Sequence, residues 1–200
     1  MNKLTTVLAL AAIFLMVGFK PTHQGLHIGD KAPDFNLKNI DGKMVSMASI
    51  SNAKGYIVIF TCNHCPFSQA YEQRIIDLHK KYAPKGVPVI AINPNDAEKQ
   101  PEDSYENMQK RAKEKKYPFV YLHDESQVVA RNYGAARTPH VFLLDKDLIT
   151  RYIGAIDDNH EDASAVKNKY LEVAINQMLA GKSISQPETK AIGCTIKWKK

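Results

Sequence analysis

The chain has 200 residues, 44% of them hydrophobic and 24% charged, which is enough for one domain with its own core and too few for two ordinary ones. Its net charge of +6 comes from lysines spread along the sequence, locally dense only from Lys113 to Lys116 and in the closing Lys197-Trp198-Lys199-Lys200. That pattern is a solvated basic surface, and without basic runs interleaved with aromatics it excludes nucleic acid as a partner.

Met1 to Lys3 form a short positive start, Leu4 to Phe19 an almost uncharged apolar run, and Lys20-Pro21-Thr22 opens the polar chain. This is the order of a secretory signal peptide, read here over residues 1–22, with an uncleaved N-terminal anchor as the alternative and the only route to a membrane. The run is short for a span, which needs about 20 apolar residues. The folded part is expected outside the cytoplasm, periplasmic or secreted, where cysteine chemistry persists. Residues 23–28 read as a linker, 29–181 as the domain and 182–200 as a tail.

Within the domain, Gly29 to Leu37 and Met44 to Ser46 flank Asp41-Gly42 as two short strands joined by a turn. The apolar Ile57-Val58-Ile59-Phe60-Thr61 runs into Cys62-Asn63-His64-Cys65-Pro66 and a helical pattern reaching about Tyr82. Pro88 to Asn93 is a compact strand, Pro101 to Lys116 a polar helix-favouring segment, Phe119 to His123 a strand and Ser126 to Tyr133 a short helix. Val141 to Asp145 and Leu148 to Gly154 form a hairpin, and Ala163 to Ala180 is one long helix stopped by Gly181. Strands alternating with helices imply an α/β domain with a mixed sheet flanked by helices. Asn93 and Asn95, around Pro94, are explained by turn chemistry.

A C-x-x-C opening a helix is a redox site. The helix N-terminus offers unpaired N–H groups and a positive dipole end, expected to favour the Cys62 thiolate, and the spacing lets Cys65 reach Cys62. His64 inside the loop is expected to donate a hydrogen bond or positive charge to that thiolate. No second C-x-x-C completes a zinc set, so no metal and no organic cofactor is expected.

Gly29-x-x-Ala32-Pro33-x-Phe35-x-Leu37 followed by Asp41-Gly42, the strand leading into Cys62-x-x-Cys65, and Thr138-Pro139 before a strand together resemble the AhpC/TSA-like redoxins of the thioredoxin superfamily, over residues 29 to about 181. The resemblance implies a thioredoxin-like fold with an N-terminal β-hairpin extension. It also implies a cis peptide at Pro139 and a substrate-binding edge at Thr138 and Pro139 beside the cysteines. The ending Ile192-Gly193-Cys194-Thr195-Ile196-Lys197-Trp198 looks like that of a subgroup that also carries C-N-H-C-P. It makes Cys194 a candidate third redox cysteine, able to resolve a mixed disulfide or sulfenic acid at Cys62, with Trp198 anchoring the tail. The partners implied are a protein or small-molecule disulfide and a thiol redox partner.

The peroxidatic pattern Pro-x-x-x-[Ser/Thr]-x-x-Cys is absent, because Thr61 directly precedes Cys62. The strand before Cys62 offers no carboxylate for proton transfer, which leaves His64, water or a residue from another segment. Thiol-disulfide exchange through Cys62 and Cys65 is therefore the first reading. A thiol peroxidase with Cys62 peroxidatic, and a Cu(I)-binding module using Cys62, Cys65 and His140, are the alternatives.

Overall fold

The computed structural model describes residues 25–200. The proposed signal segment, residues 1–22, lies outside them. Among the described residues no helix is long and apolar enough to cross a membrane.

A seven-stranded sheet carries the fold. Its strands are β1 (Leu37–Asn39), β2 (Met44–Val45), β3 (Gly55–Phe60), β4 (Val89–Asn93), β5 (Val120–His123), β7 (His140–Asp145) and β8 (Thr150–Gly154), in the order β2-β1-β5-β4-β3-β7-β8. The central β5, β4 and β3 are parallel, and the hairpins β1–β2 and β7–β8 add antiparallel edges. Every residue of β3 and β4 is buried, as expected for strands covered on both faces.

Alternation along β3 feeds two cores. Ile57 and Ile59 point into one with α1 (Pro66–Tyr82), α2 (Tyr105–Lys115) and α4 (Tyr170–Leu179). Tyr56, Val58 and Phe60 point into the other with α3 (Val128–Tyr133), Phe35 and Met47. This is the thioredoxin-like arrangement expected, including the N-terminal hairpin.

Two departures from the sequence reading have local causes. The long helix expected over 163–180 is a short 3-10 turn, Ala163–Ala165, and a separate α4. Between them the Asp158 carboxylate accepts from the backbone N–H groups of Lys167 and Asn168 at 3.0 Å and from the Asn168 side chain, which fixes the chain in a non-helical path. The expected linker is held down where it is described, Leu26 N–H donating to the Tyr133 carbonyl at 3.1 Å. The tail, expected to be anchored, docks beside the site. β9 (Cys194–Thr195) pairs antiparallel with β6 (Arg137–Thr138) in a separate two-stranded sheet, Thr138 opposite Cys194.

Candidate active site

Cys62 lies just beyond β3, Cys65 caps α1, and Thr138 ends β6 before a cis peptide bond to Pro139, as expected. Pro66 starts the helix where its missing N–H costs nothing. All three elements meet at the carboxyl end of β3. Thr138 is fully buried, its hydroxyl 3.2 Å from Cys62 Sγ and its carbonyl 3.1 Å from Cys65 Sγ.

The tail strand brings in the third cysteine. Cys194 Sγ lies 2.7 Å from Cys65 Sγ, a closeness that a separation of 129 positions gave no means of reading from sequence. All three cysteines are free thiols here. Cys62 and Cys65 are 4% and 0% exposed, whereas Cys194 is only half-buried, so the least buried cysteine of the three belongs to the tail.

Within this cluster the Cys65 thiol is pulled down and its two neighbours are pushed up. As a thiol it donates to the Thr138 carbonyl. As a thiolate it accepts from the Cys62 thiol, the Cys194 thiol and the backbone N–H groups of Ser68 and Cys194, which together bring its pKa down to about 4 against the effect of burial. Cys62 is pushed up by that same bond to Cys65, then by burial and the nearby negative charge of Asp103, with the Thr138 hydroxyl acting the other way. Cys194 is pushed up to about 11 by burial and by its bond to Cys65. The sequence places the helix N-terminus to act on Cys62. The helix begins at Pro66, and the N–H of Ser68 in its first turn reaches Cys65 instead.

His64 does approach Cys62, at 3.6 Å from Nδ1 to Sγ. The same nitrogen is 2.5 Å from Oδ2 of Asp103, so Nδ1–H donates to that carboxylate. Asp103 is fully buried and also accepts from the backbone N–H groups of Asn63 and His64 and from Asn95 Nδ2. Asn93 Nδ2 binds the Asp103 carbonyl, and Tyr121 OH donates to Asn63 Oδ1. This is the carboxylate that the strand before Cys62 lacks. It arrives from the segment ahead of α2, and the two asparagines read as turn residues are what hold it. Their place at the carboxyl end of a central strand was the available signal.

The donor atoms of Cys62, His64 and Asp103 lie within 4.8 Å of one another. Asp103 already accepts four hydrogen bonds, so the set is a proton and positioning network and fits a cation poorly. His140, expected as an approaching ligand, is not among these groups. Its Nδ1 accepts from Ala136 N–H at 3.4 Å, and burial with the nearby Arg137 charge pushes its pKa down to about 4.

A thioredoxin-like sheet with a C-x-x-C between β3 and α1, facing a cis-proline strand, defines a thioredoxin-fold redox protein. The model of the AhpC/TSA family matches residues 28–153, and the chain belongs to that family. The chain is similar to an uncharacterized conserved protein from Geobacillus kaustophilus, 41% identical, with 86% of this chain and 93% of that one covered and a TM-score of 0.81. It is 26% identical to the thiol-disulfide oxidoreductase ResA of Bacillus thuringiensis (strain Al Hakam) over 66% of this chain and 72% of that protein. A putative thiol:disulfide interchange protein DsbE from Chlorobium tepidum shares the fold, at 23% identity and a TM-score of 0.62 over 78% of this chain and 99% of that one.

Proposed function

We propose that this protein is a thiol-disulfide oxidoreductase acting outside the cytoplasm, with Cys62 and Cys65 as its redox pair. The observation that carries the reading is the convergence of both sulfurs on Thr138, whose hydroxyl lies 3.2 Å from Cys62 Sγ and whose carbonyl lies 3.1 Å from Cys65 Sγ. In the reducing direction Cys62 passes its proton to the Cys65 thiolate and attacks one sulfur of a substrate disulfide. That S–S bond breaks, a thiolate leaves, and a mixed disulfide forms at Cys62. Cys65 then gives up its proton to the departing sulfur and attacks Cys62, forming Cys62–Cys65 and releasing the reduced product. Two electrons have moved from the pair to the substrate. The Thr138 hydroxyl at 3.2 Å and His64, fixed by Asp103, at 3.6 Å are the groups placed to steady charge on the Cys62 sulfur.

The extracytoplasmic placement is supported by the order of Met1–Lys3, Leu4–Phe19 and Lys20. C-N-H-C-P and the Gly193-Cys194-x-Ile196-Lys197-Trp198 ending are consistent with one subgroup of the family, whose body spans 29–181 and whose tail spans 182–200. Insulin reduction by the full chain tests the activity. Cys62→Ser should abolish it and Cys65→Ser should trap mixed disulfides, and unchanged turnover in both would end the reading. The missing Pro-x-x-x-[Ser/Thr]-x-x-Cys pattern counts against a peroxidase reading. Peroxide consumption coupled to a thiol reductant, at rates above disulfide reduction, would reopen it.

A further inference from the structure

The tail is built onto the site in detail. Gly193 packs against the Thr138–Pro139 peptide, its carbonyl accepting from Arg137 at 2.9 Å. Lys197 N–H donates to Asn95 Oδ1, and its carbonyl accepts from Asp96 N–H and from Gln127 Nε2. Ile196 is buried, and Trp198 lies under the Arg131 guanidinium, 4.4 Å from ring centroid to cation. A segment held at this many points is not a loose end that happens to touch the site. Its single cysteine faces Cys65, the inner sulfur of the pair.

We propose that Cys65 is the shared sulfur of two alternative disulfides, Cys62–Cys65 and Cys65–Cys194, and that the tail strand carries redox equivalents between the buried pair and an external dithiol. The inference rests on Cys62 and Cys65 being the redox pair. Once substrate reduction has left Cys62–Cys65, the Cys194 thiolate attacks Cys65 Sγ. The Cys65–Cys194 bond forms, the Cys62–Cys65 bond breaks, and Cys62 leaves with the electron pair and takes up the proton that Cys194 lost. No electrons are gained or lost in this exchange. The oxidising equivalents now sit at the outer sulfur. A dithiol reductant attacks Cys194 there, Cys65 leaves as the stabilised thiolate, and the second thiol of the reductant frees Cys194. The reductant has lost two electrons as a disulfide, and all three cysteines are reduced.

Three observations support this order. Cys65 meets Thr138 together with Cys62 and lies 2.7 Å from Cys194. Cys194 is the least buried of the three cysteines. A low-pKa Cys65 is a good leaving group when the reductant attacks Cys194. The arrangement differs from a resolving role at Cys62, because the bond Cys194 makes is to Cys65.

Disulfide mapping decides it. The full chain is poised at a series of dithiothreitol ratios, quenched in acid, alkylated, digested and read by mass spectrometry, as wild type, Cys62→Ser and Cys194→Ser. The expected result is a Cys65–Cys194 peptide in wild type and as the dominant disulfide in Cys62→Ser, with Cys194 alkylation lost in step. Cys194→Ser should hold only Cys62–Cys65. Cys62–Cys65 alone with Cys194 alkylated at every poise would overturn the relay and leave the redox pair standing. A Cys62–Cys194 peptide would overturn it in favour of a resolving role. If no variant formed any disulfide, relay and redox pair would fall together.

Discussion

Nδ1 of His64 and Oδ2 of Asp103 lie 2.5 Å apart, although 39 residues separate them in the chain. The carboxylate fixes the ring beside Cys62 and at the same time gathers the backbone of the active-site loop through the N–H groups of Asn63 and His64. Asp103→Ala leaves these buried donors and Asn95 without an acceptor. At about 1–3 kcal/mol for each buried polar group left unpaired, a loss of roughly 3 kcal/mol or more is expected in denaturant unfolding. Asp103→Asn keeps the volume. It should lower kcat/KM for insulin reduction on the order of tenfold or more and shift its pH profile, whereas a purely structural Asp103 would leave the profile in place.

Thr138→Val removes the hydroxyl 3.2 Å from Cys62 Sγ without opening a cavity. That hydroxyl opposes the upward push on the Cys62 pKa. Its loss should raise the pKa further and slow iodoacetamide alkylation of Cys62 near neutral pH by about fivefold, the worth of one hydrogen bond. An unchanged rate across the pH range would show that the contact does not act on the thiol.

A Cβ on Gly193 would lie 2.1 Å from the Thr138 carbonyl oxygen and 2.6 Å from its carbon, both backbone atoms with little room to give. Overpacking of this kind typically costs about 1–3 kcal/mol. Gly193→Ala should therefore lift β9 away from β6 while the main sheet stays intact. The readout is Cys194 alkylation, expected to accelerate by roughly tenfold or more as local opening becomes easier, with far-UV circular dichroism unchanged.

His140 is held neutral by burial, its pKa pushed down to about 4 from 6.5. The folded pKa lies below the unfolded one, so between these values the unfolded chain binds the proton and the native protein does not. Stability from this group is complete above pH 6.5 and is lost as pH falls toward 4, in total roughly 3 kcal/mol. Thermal melts of the disulfide form, in which paired thiols do not titrate, should show the decline. His140→Asn, which retains an acceptor for Ala136 N–H, should flatten it, leaving the smaller slope from His79 and His123, whose pKa values burial also lowers.

Much of the fold was legible because its signals are local. The apolar runs of β3 and β4, the proline at the start of α1 and the Asp41-Gly42 turn each announce an element within a few residues. The break before α4 was not legible, since Ala163 to Ala180 has helical periodicity throughout and the competing interaction comes from Asp158, outside that window. The site divided the same way. Cys62, His64, Cys65 and Thr138-Pro139 stand in short motifs, but Asp103 gains its meaning from Asn95 and His64, and Cys194 from pairing with Thr138. No periodicity encodes contacts of that range.

The pairing of β9 with β6 also bears on what the protein will refuse. The resemblance places an incoming chain along the Thr138 edge, and that edge already has an antiparallel neighbour, Cys194 opposite Thr138. An extended polypeptide seeking main-chain pairing there competes with a strand of the same molecule, whose effective concentration is of the millimolar order for a short tether. Casual unfolded segments present at micromolar levels lose that competition. A successful partner must either make contacts beyond the edge or be small enough to reach the sulfurs with the strand in place.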